Sequence, residues 1–200
     1  MKNKLFITVF CAILSSAAAS AAPTYFNFSN PAGLLGTSQT YTSNGITVTA
    51  YGYNGGSLSA LFGKNVSVQD TGLGLAAGPN HEIDKFDFIQ LDFGMLIAAF
   101  PKADVRITMA SVDSGDAFNI YGSMAQGSLG NLLLSNSTLN LTAFSVPSYG
   151  AYRYVSIQAA SANHDVLLRS VQVVPEPATW GLMGLGLAVA AYVRKRQTAR

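Results

Sequence analysis

The sequence predicts an all-β protein: an antiparallel β-sandwich of jelly-roll type, with a segment at each end that does not belong to the fold. Three observations lead to it. Apolar and polar residues alternate with period two through most of the interior. Clusters of Gly, Asn, Asp, Ser and Pro recur between the alternating runs, where turns need them. No long stretch of helical period separates the runs, so nothing supports β-α alternation or a parallel sheet. A closed barrel is the alternative arrangement of the same strands.

The chain opens MKNKLFITVFCAILSSAAASAA. Lys2 and Lys4, the apolar run Leu5 to Leu14 and the small-residue tract after it form the three parts of a secretory signal peptide over residues 1–21. Ala19-Ser20-Ala21 offers an A-x-A cleavage site after Ala21, with Ala19 the alternative, and implies passage through the export translocon and signal peptidase. Cys11, the one cysteine of the chain, lies in that apolar run after Phe10, where a lipoprotein site would want a small residue. The body therefore contains no disulfide or thiolate, and its stability falls to core burial and sheet hydrogen bonds.

The body, residues 22–173, supplies the strands. Gly45 to Tyr53 sets Ile46, Val48 and Ala50 against Thr47, Thr49 and Tyr51, and Phe88 to Gly94 sets Ile89, Leu91 and Phe93 against Gln90 and Asp92. Asp104 to Ala110 sets Val105, Ile107 and Met109 against Arg106 and Thr108, and LNLTAFSV, YRYVSIQA and VLLRSVQVV repeat the habit. Turns are expected at Ser43-Asn44-Gly45, Asn54-Gly55-Gly56, Gly78-Pro79-Asn80, Asp113-Ser114-Gly115-Asp116 and Val146-Pro147-Ser148. A membrane-spanning barrel needs an apolar lipid face on every strand, whereas here one face is Thr, Ser, Asn and Asp.

The end of the chain differs from everything before it. Val174-Pro175-Glu176-Pro177 is followed by a charge-free run from Ala178 to Val193 and then by Arg194-Lys195-Arg196. As a helix the run would extend roughly 24 Å, a little short of a ~30 Å hydrocarbon core. Trp180 and Tyr192 stand near its ends, where amphipathic rings favour the interface, and the basic tail is expected to stay cytoplasmic. This triplet, helix and Arg-rich terminus over residues 174–200 resemble the PEP-CTERM sorting signal of exported proteins of Gram-negative, often polymer-secreting, bacteria. The resemblance implies an exosortase as processing partner and Pro175, Glu176 and Pro177 as its recognition motif. It also implies inner-membrane anchoring with the body in the periplasm, then removal of the helix and release or attachment at the surface.

Charge is sparse and uneven. Between Ala22 and Val174 lie six basic residues (Lys64, Lys85, Lys102, Arg106, Arg153, Arg169) and nine acidic ones, so the basic pI belongs to the ends. Without a Lys/Arg cluster, nucleic acid is not an expected partner.

Chemistry is most concentrated at residues 66 to 94, where a glycine-rich stretch leads into His81-Glu82-Ile83-Asp84. The segment resembles one found in many exported proteins with the same sorting signal, which implies a shared β-sandwich. In an extended segment Glu82 and Asp84 project on one side, and with Asp70 and carbonyl oxygens they are the candidate ligands of a structural calcium ion, against a role as strand-end residues bonding to a turn. Asp113-x-x-Asp116 reads as a hairpin turn, and GLGLAAG as a tight loop without the context of a phosphate-binding motif.

No catalytic residue is expected. There is no G-x-S-x-G elbow, His81 and His164 are the two histidines, and His164 sits in a polar loop. Paired carboxylates for glycoside hydrolysis are conceivable among Glu82, Asp84, Asp87 and Asp92. Tyr51 with Tyr53, and Tyr152 with Tyr154, share a strand face in pairs and are candidates for stacking on sugar rings, against a core-packing role. The expectation is a non-enzymatic component of the cell surface or extracellular matrix, associated with exopolysaccharide. A carbohydrate-binding module using exposed tyrosines, with a structural calcium ion, is the alternative, and a secreted glycan- or ester-acting hydrolase is the third reading.

Overall fold

The computed structural model describes residues 24–174. The leader and the sorting elements from Pro175 onward lie outside the described residues. Within them the chain forms fourteen strands, one short helix and a 3-10 turn at Pro79–His81.

The first sheet runs β12 (Phe144–Ser145), β9 (Asp104–Ala110), β14 (Leu167–Val174), β7 (Thr71–Leu75), β6 (Leu61–Asn65) and β2 (Gly33–Leu34), with β1 (Thr24–Asn27) also paired to β14. The second runs β11 (Asn131–Ser137), β10 (Phe118–Ser123), β13 (Tyr154–Ala159), β8 (Asp87–Asp92), β4 (Ile46–Asn54) and β3 (Ser38–Ser43), with β5 (Ser57–Ser59) also on β4. Every ladder between these strands is antiparallel. From β7 onward successive strands alternate between the sheets, except at the β10–β11 hairpin. The orders β12-β9-β14-β7 and β11-β10-β13-β8 are the two four-stranded sheets of a jelly roll. The strands before β7 widen both sheets on one edge.

The alternation sorts as the sequence implies. Val48, Ala50, Ile89, Leu91, Val105, Ile107, Met109, Val155 and Ile157 are all buried in one core cluster with Phe26, Phe28 and Phe118. At roughly 25 cal/mol per Å² of apolar surface removed from water, this burial is the principal stabilising contribution of a body without cysteine. The β3–β4 turn uses Asn44 and Gly45 at φ 51° and 76°, the left-handed pair that a two-residue hairpin requires.

Two sequence expectations change, and one short helix appears that no pattern announced. The glycine-rich stretch taken for a tight loop contains β7, a strand buried at every position. A Cβ on Gly72 would lie 2.7 Å from the Leu168 carbonyl oxygen, and one on Gly74 would lie 2.0 Å from that of His81. The glycines therefore admit neighbouring backbone rather than loosen the chain. LNLTAFSV keeps only β12, because Leu141 takes a left-handed φ of 51° that interrupts an extended run. The apolar segment after Phe93 folds into α1 (Gly94–Ala99), whose Leu96 enters the core; six residues are too few for helical periodicity to show. Among the described residues no helix is long and apolar enough to cross a membrane.

Candidate functional site

Two polar regions occur on the body. The first is the outer face of the second sheet, where the candidate tyrosines of β4 point. Tyr51 and Tyr53 do share that face, but the segment Met124 to Gly130, which joins β10 to β11, folds back over it. Gln90, wholly buried, pins this strap: its Nε2 donates to Ser128 O at 2.9 Å and to Ser156 Oγ at 3.1 Å, and its Oε1 accepts from Gly127 N at 2.7 Å. Gly127 rests against the Tyr53 ring, which stacks on Phe88 at 4.8 Å between centroids. Tyr53 is left 5% exposed and Tyr154 6%.

Tyr152 does not join Tyr154. It precedes β13, its ring lies where a side chain on Gly122 would point, on the side of Phe118 and Ile120, and its hydroxyl accepts from Asn131 Nδ2 at 3.0 Å. Of the four expected sugar-stacking rings, Tyr53 and Tyr154 are buried, whereas Tyr51 on β4 and Tyr152 before β13 stay half-buried and lie apart. Beside Tyr51, Arg153 clamps Asp92 with Nε–Oδ1 and Nη2–Oδ2 contacts of 3.1 and 2.8 Å, and its guanidinium lies 5.1 Å from the Tyr154 centroid. Burial raises the Asp92 pKa, but Arg153 and the Gly94 amide outweigh it and hold the carboxyl below its ordinary value. The pair borders a groove of about 330 Å³ with Thr47, Thr49 and Met95.

The second region is a polar cleft of about 680 Å³, formed where the β6–β7 loop, the Pro79–His81 turn, the segment after β9 and the segment before β14 converge. Its centre is Lys64 on β6. The Lys64 ammonium donates to Glu82 Oε1 at 2.5 Å and lies 2.8 Å from Asp70 Oδ1 as an ion pair. Local folding accounts for each placement. The β6–β7 loop closes on itself through Asp70 N, which donates to Ser67 O and Oγ, and so returns Asp70 beside Lys64. Gly74 and Gly78 leave room for the His81–Glu82 backbone, with a Cβ on Gly78 falling 1.9 Å from the Glu82 carbonyl oxygen.

Asn80, His81 and Ser111, all lining the cleft, hold left-handed φ of 52°, 64° and 54°, conformations costly for residues with a side chain. The His81 ring stacks on Phe62 at 4.0 Å, with its Nδ1 3.3 Å from the Ala76 carbonyl.

Glu82 is 4% exposed, and its second oxygen, Oε2, makes no hydrogen bond among the described residues. Burial raises its pKa more than Lys64 and the nearby Ser111 hydroxyl lower it; Ser111 stands close without an ordinary hydrogen bond to Oε2. Burial lowers the Lys64 pKa, but the two carboxylates prevail and the ammonium is favoured. Asp165, also in the cleft, is raised by burial and then by Asp116 and Asp113, with Lys64 opposing.

The expected oxygen set is therefore divided. Asp70 and Glu82 meet, but across a lysine ammonium. Asp84 leaves them: its Oδ1 accepts from the amides of Phe86 (2.6 Å) and Asp87 (3.1 Å), while its own amide donates to Asp87 Oδ1 at 2.7 Å. Ile83, bridged to Val166, separates the two side chains along the backbone. Among the described residues no three acidic or histidine side chains are grouped to hold a metal ion. Asp87 is fully buried, and burial pushes its carboxyl up to about 7; its Oδ2 makes no hydrogen bond and faces Gly78.

Sequence reasoning missed Lys64, Ser111 and Asp165 as site residues. Lys64 alone carried a signal, as the one cation between Lys4 and Lys85. Asp113–Asp116 is the expected turn, closed by Asp116 N donating to Asp113 O at 3.0 Å, but it brings Asp113 to the cleft edge.

Residues 173–197 match the PEP-CTERM protein-sorting motif. The chain therefore carries the address of an exported protein sorted by an exosortase toward the cell surface. Comparison with curated proteins finds no match, and neither does comparison with solved structures.

Proposed function

We propose that this protein is a non-enzymatic surface or extracellular-matrix component, whose β-sandwich body is delivered through its C-terminal signal and associates with exopolysaccharide. In this reading the leader 1–21 directs export and is removed. The run 178–193 then holds the chain in the inner membrane, with Arg194, Lys195 and Arg196 on the cytoplasmic side and the body in the periplasm. An exosortase acts at Pro175-Glu176-Pro177 and frees the body for the surface or the medium.

The observation that carries the reading is the sorting motif at 173–197, which begins where the last strand, β14, ends at Val174. Cleavage just beyond Val174 leaves β14 paired with β9, β7 and β1, so processing and folding do not compete. Pro175 and Pro177 favour an extended backbone that a processing enzyme could bind.

Fractionation tests this reading. The protein is expected in the extracellular polymer fraction of its host, and in the membrane fraction when the exosortase is absent or when residues 175–200 carry Pro175→Ala and Pro177→Ala. An unchanged distribution in those strains would overturn it.

A further inference from the structure

We propose that the end cleft is a binding site for a saccharide that bears a free amino group, such as a hexosamine unit of a partly deacetylated polymer. The inference rests on the reading of the body as a matrix component, whose polymer supplies the ligand. Its observations are separate from the sorting motif.

Charge comes first. Asp70, Glu82, Asp113 and Asp165 line the cleft against one cation, Lys64. Lys64 already serves Asp70 and Glu82 Oε1, which leaves Asp113, Asp165 and Glu82 Oε2 without a matching positive group. An unmatched carboxylate oxygen on a side chain this buried is costly, and evolution tolerates such groups where a ligand completes them. Lys64 itself shows which chemistry the floor accepts, since an ammonium donates N–H groups to several oxygens at once.

A hard divalent ion is the poorer fit. It requires six to eight oxygens, and the carboxylates here are spread around the cleft rather than gathered on one point.

The remaining lining suits a sugar. Ser67, Gln69, Asn80 and Ser111 offer paired donors and acceptors for hydroxyl groups. His81 is exposed and held flat on Phe62, so it presents one ring face at the mouth. A volume of about 680 Å³ is within the usual range of small-ligand sites. The left-handed Asn80, His81 and Ser111 hold these groups in place with backbone conformations the chain does not adopt cheaply.

Calorimetry on the full chain tests the proposal with three probes: a glucosamine tetramer, its fully N-acetylated counterpart and calcium chloride. The amine-bearing tetramer is expected to bind and the acetylated one not, because acetylation removes the charge and leaves the hydroxyls. Glu82→Gln and the surface-turn variant Asp113→Asn should each weaken binding by about tenfold, equivalent to about 1.4 kcal/mol, with their melting transitions retained. Equal binding of both tetramers, binding of neither, or indifference to both substitutions overturns the proposal. So does calcium binding that the tetramer cannot displace. A protein that is found in the matrix yet ignores both tetramers would sink this inference and leave the matrix reading standing.

Discussion

The outer face of the second sheet and the end cleft are both polar, yet they treat their buried polar atoms in opposite ways. On the sheet face Gln90 is wholly buried and uses both ends of its amide, closing the Met124 to Gly130 strap over Tyr53. In the cleft Glu82, and behind Gly78 Asp87, are buried too, and each keeps one carboxyl oxygen without a hydrogen bond among the described residues. A matched network seals a surface, whereas unmatched acceptors mark where the fold tolerates instability for another purpose. The aromatic face that alternation made attractive is thus the finished side of the molecule, and the acidic turns hold the open chemistry.

The largest effect should come from pH. The folded pKa of Asp87, pushed up to about 7 by burial, lies above its ordinary value of 3.8, so the folded state binds this proton more tightly than the unfolded chain. Stability from this group is full below about pH 4 and is lost as pH rises through about 7, by at most about 4 kcal/mol. Glu82 and Asp165 shift in the same direction. Asp92 and Asp104 shift downward and act at lower pH. Urea midpoints should fall between pH 4.5 and 7.5, and Asp87→Asn should flatten the profile. A profile that rises over this range would remove Asp87 from the contrast.

Tyr53→Ala should cost about 3 kcal/mol in urea unfolding, the usual penalty for losing a buried ring, because Phe88 and Gly127 both pack on it. A loss under about 1 kcal/mol would mean that the strap does not seal the face. Gln90→Ala should cost about 2 kcal/mol, since the Gly127 amide and Ser128 carbonyl lose their partner. Hydrogen exchange should then rise at Gly127.

The smallest change is expected from Glu82→Gln, within about 1 kcal/mol of wild type, because a buried carboxylate with one unpartnered oxygen is replaced by a neutral amide that still accepts from Lys64, while Lys64 keeps Asp70. A loss as large as that of Gln90→Ala would show Glu82 to be equally well matched, and the contrast would fail.

Much of the fold was legible in the sequence because a strand's face is a local property. Val48 and Ala50, Ile89 and Leu91, and Val105 and Ile107 are buried as their alternation requires. The glycines of β7 misled because Gly72 and Gly74 answer to Leu168 and His81, backbone neighbours that no local pattern reveals. The site was less legible for the same reason. Asp70 and Glu82 do come together, but the cation between them comes from β6, and Asp84 turns toward Asp87, three residues on. Tyr53 and Tyr154 have the pattern of an exposed face, but Tyr53 is covered by Phe88 and by Gly127 of the strap, and Tyr154 carries the Arg153 guanidinium on its ring. The sorting motif was readable outright, since its order of proline, apolar run and cations needs no tertiary context.

Intact-mass measurement of the mature protein from its native host tests the central claim, that the body is cargo and the terminus its address. A mature chain that ends between Val174 and Pro177, or carries a modification there, is the predicted result. Mature protein that uniformly retains Arg200 would contradict it.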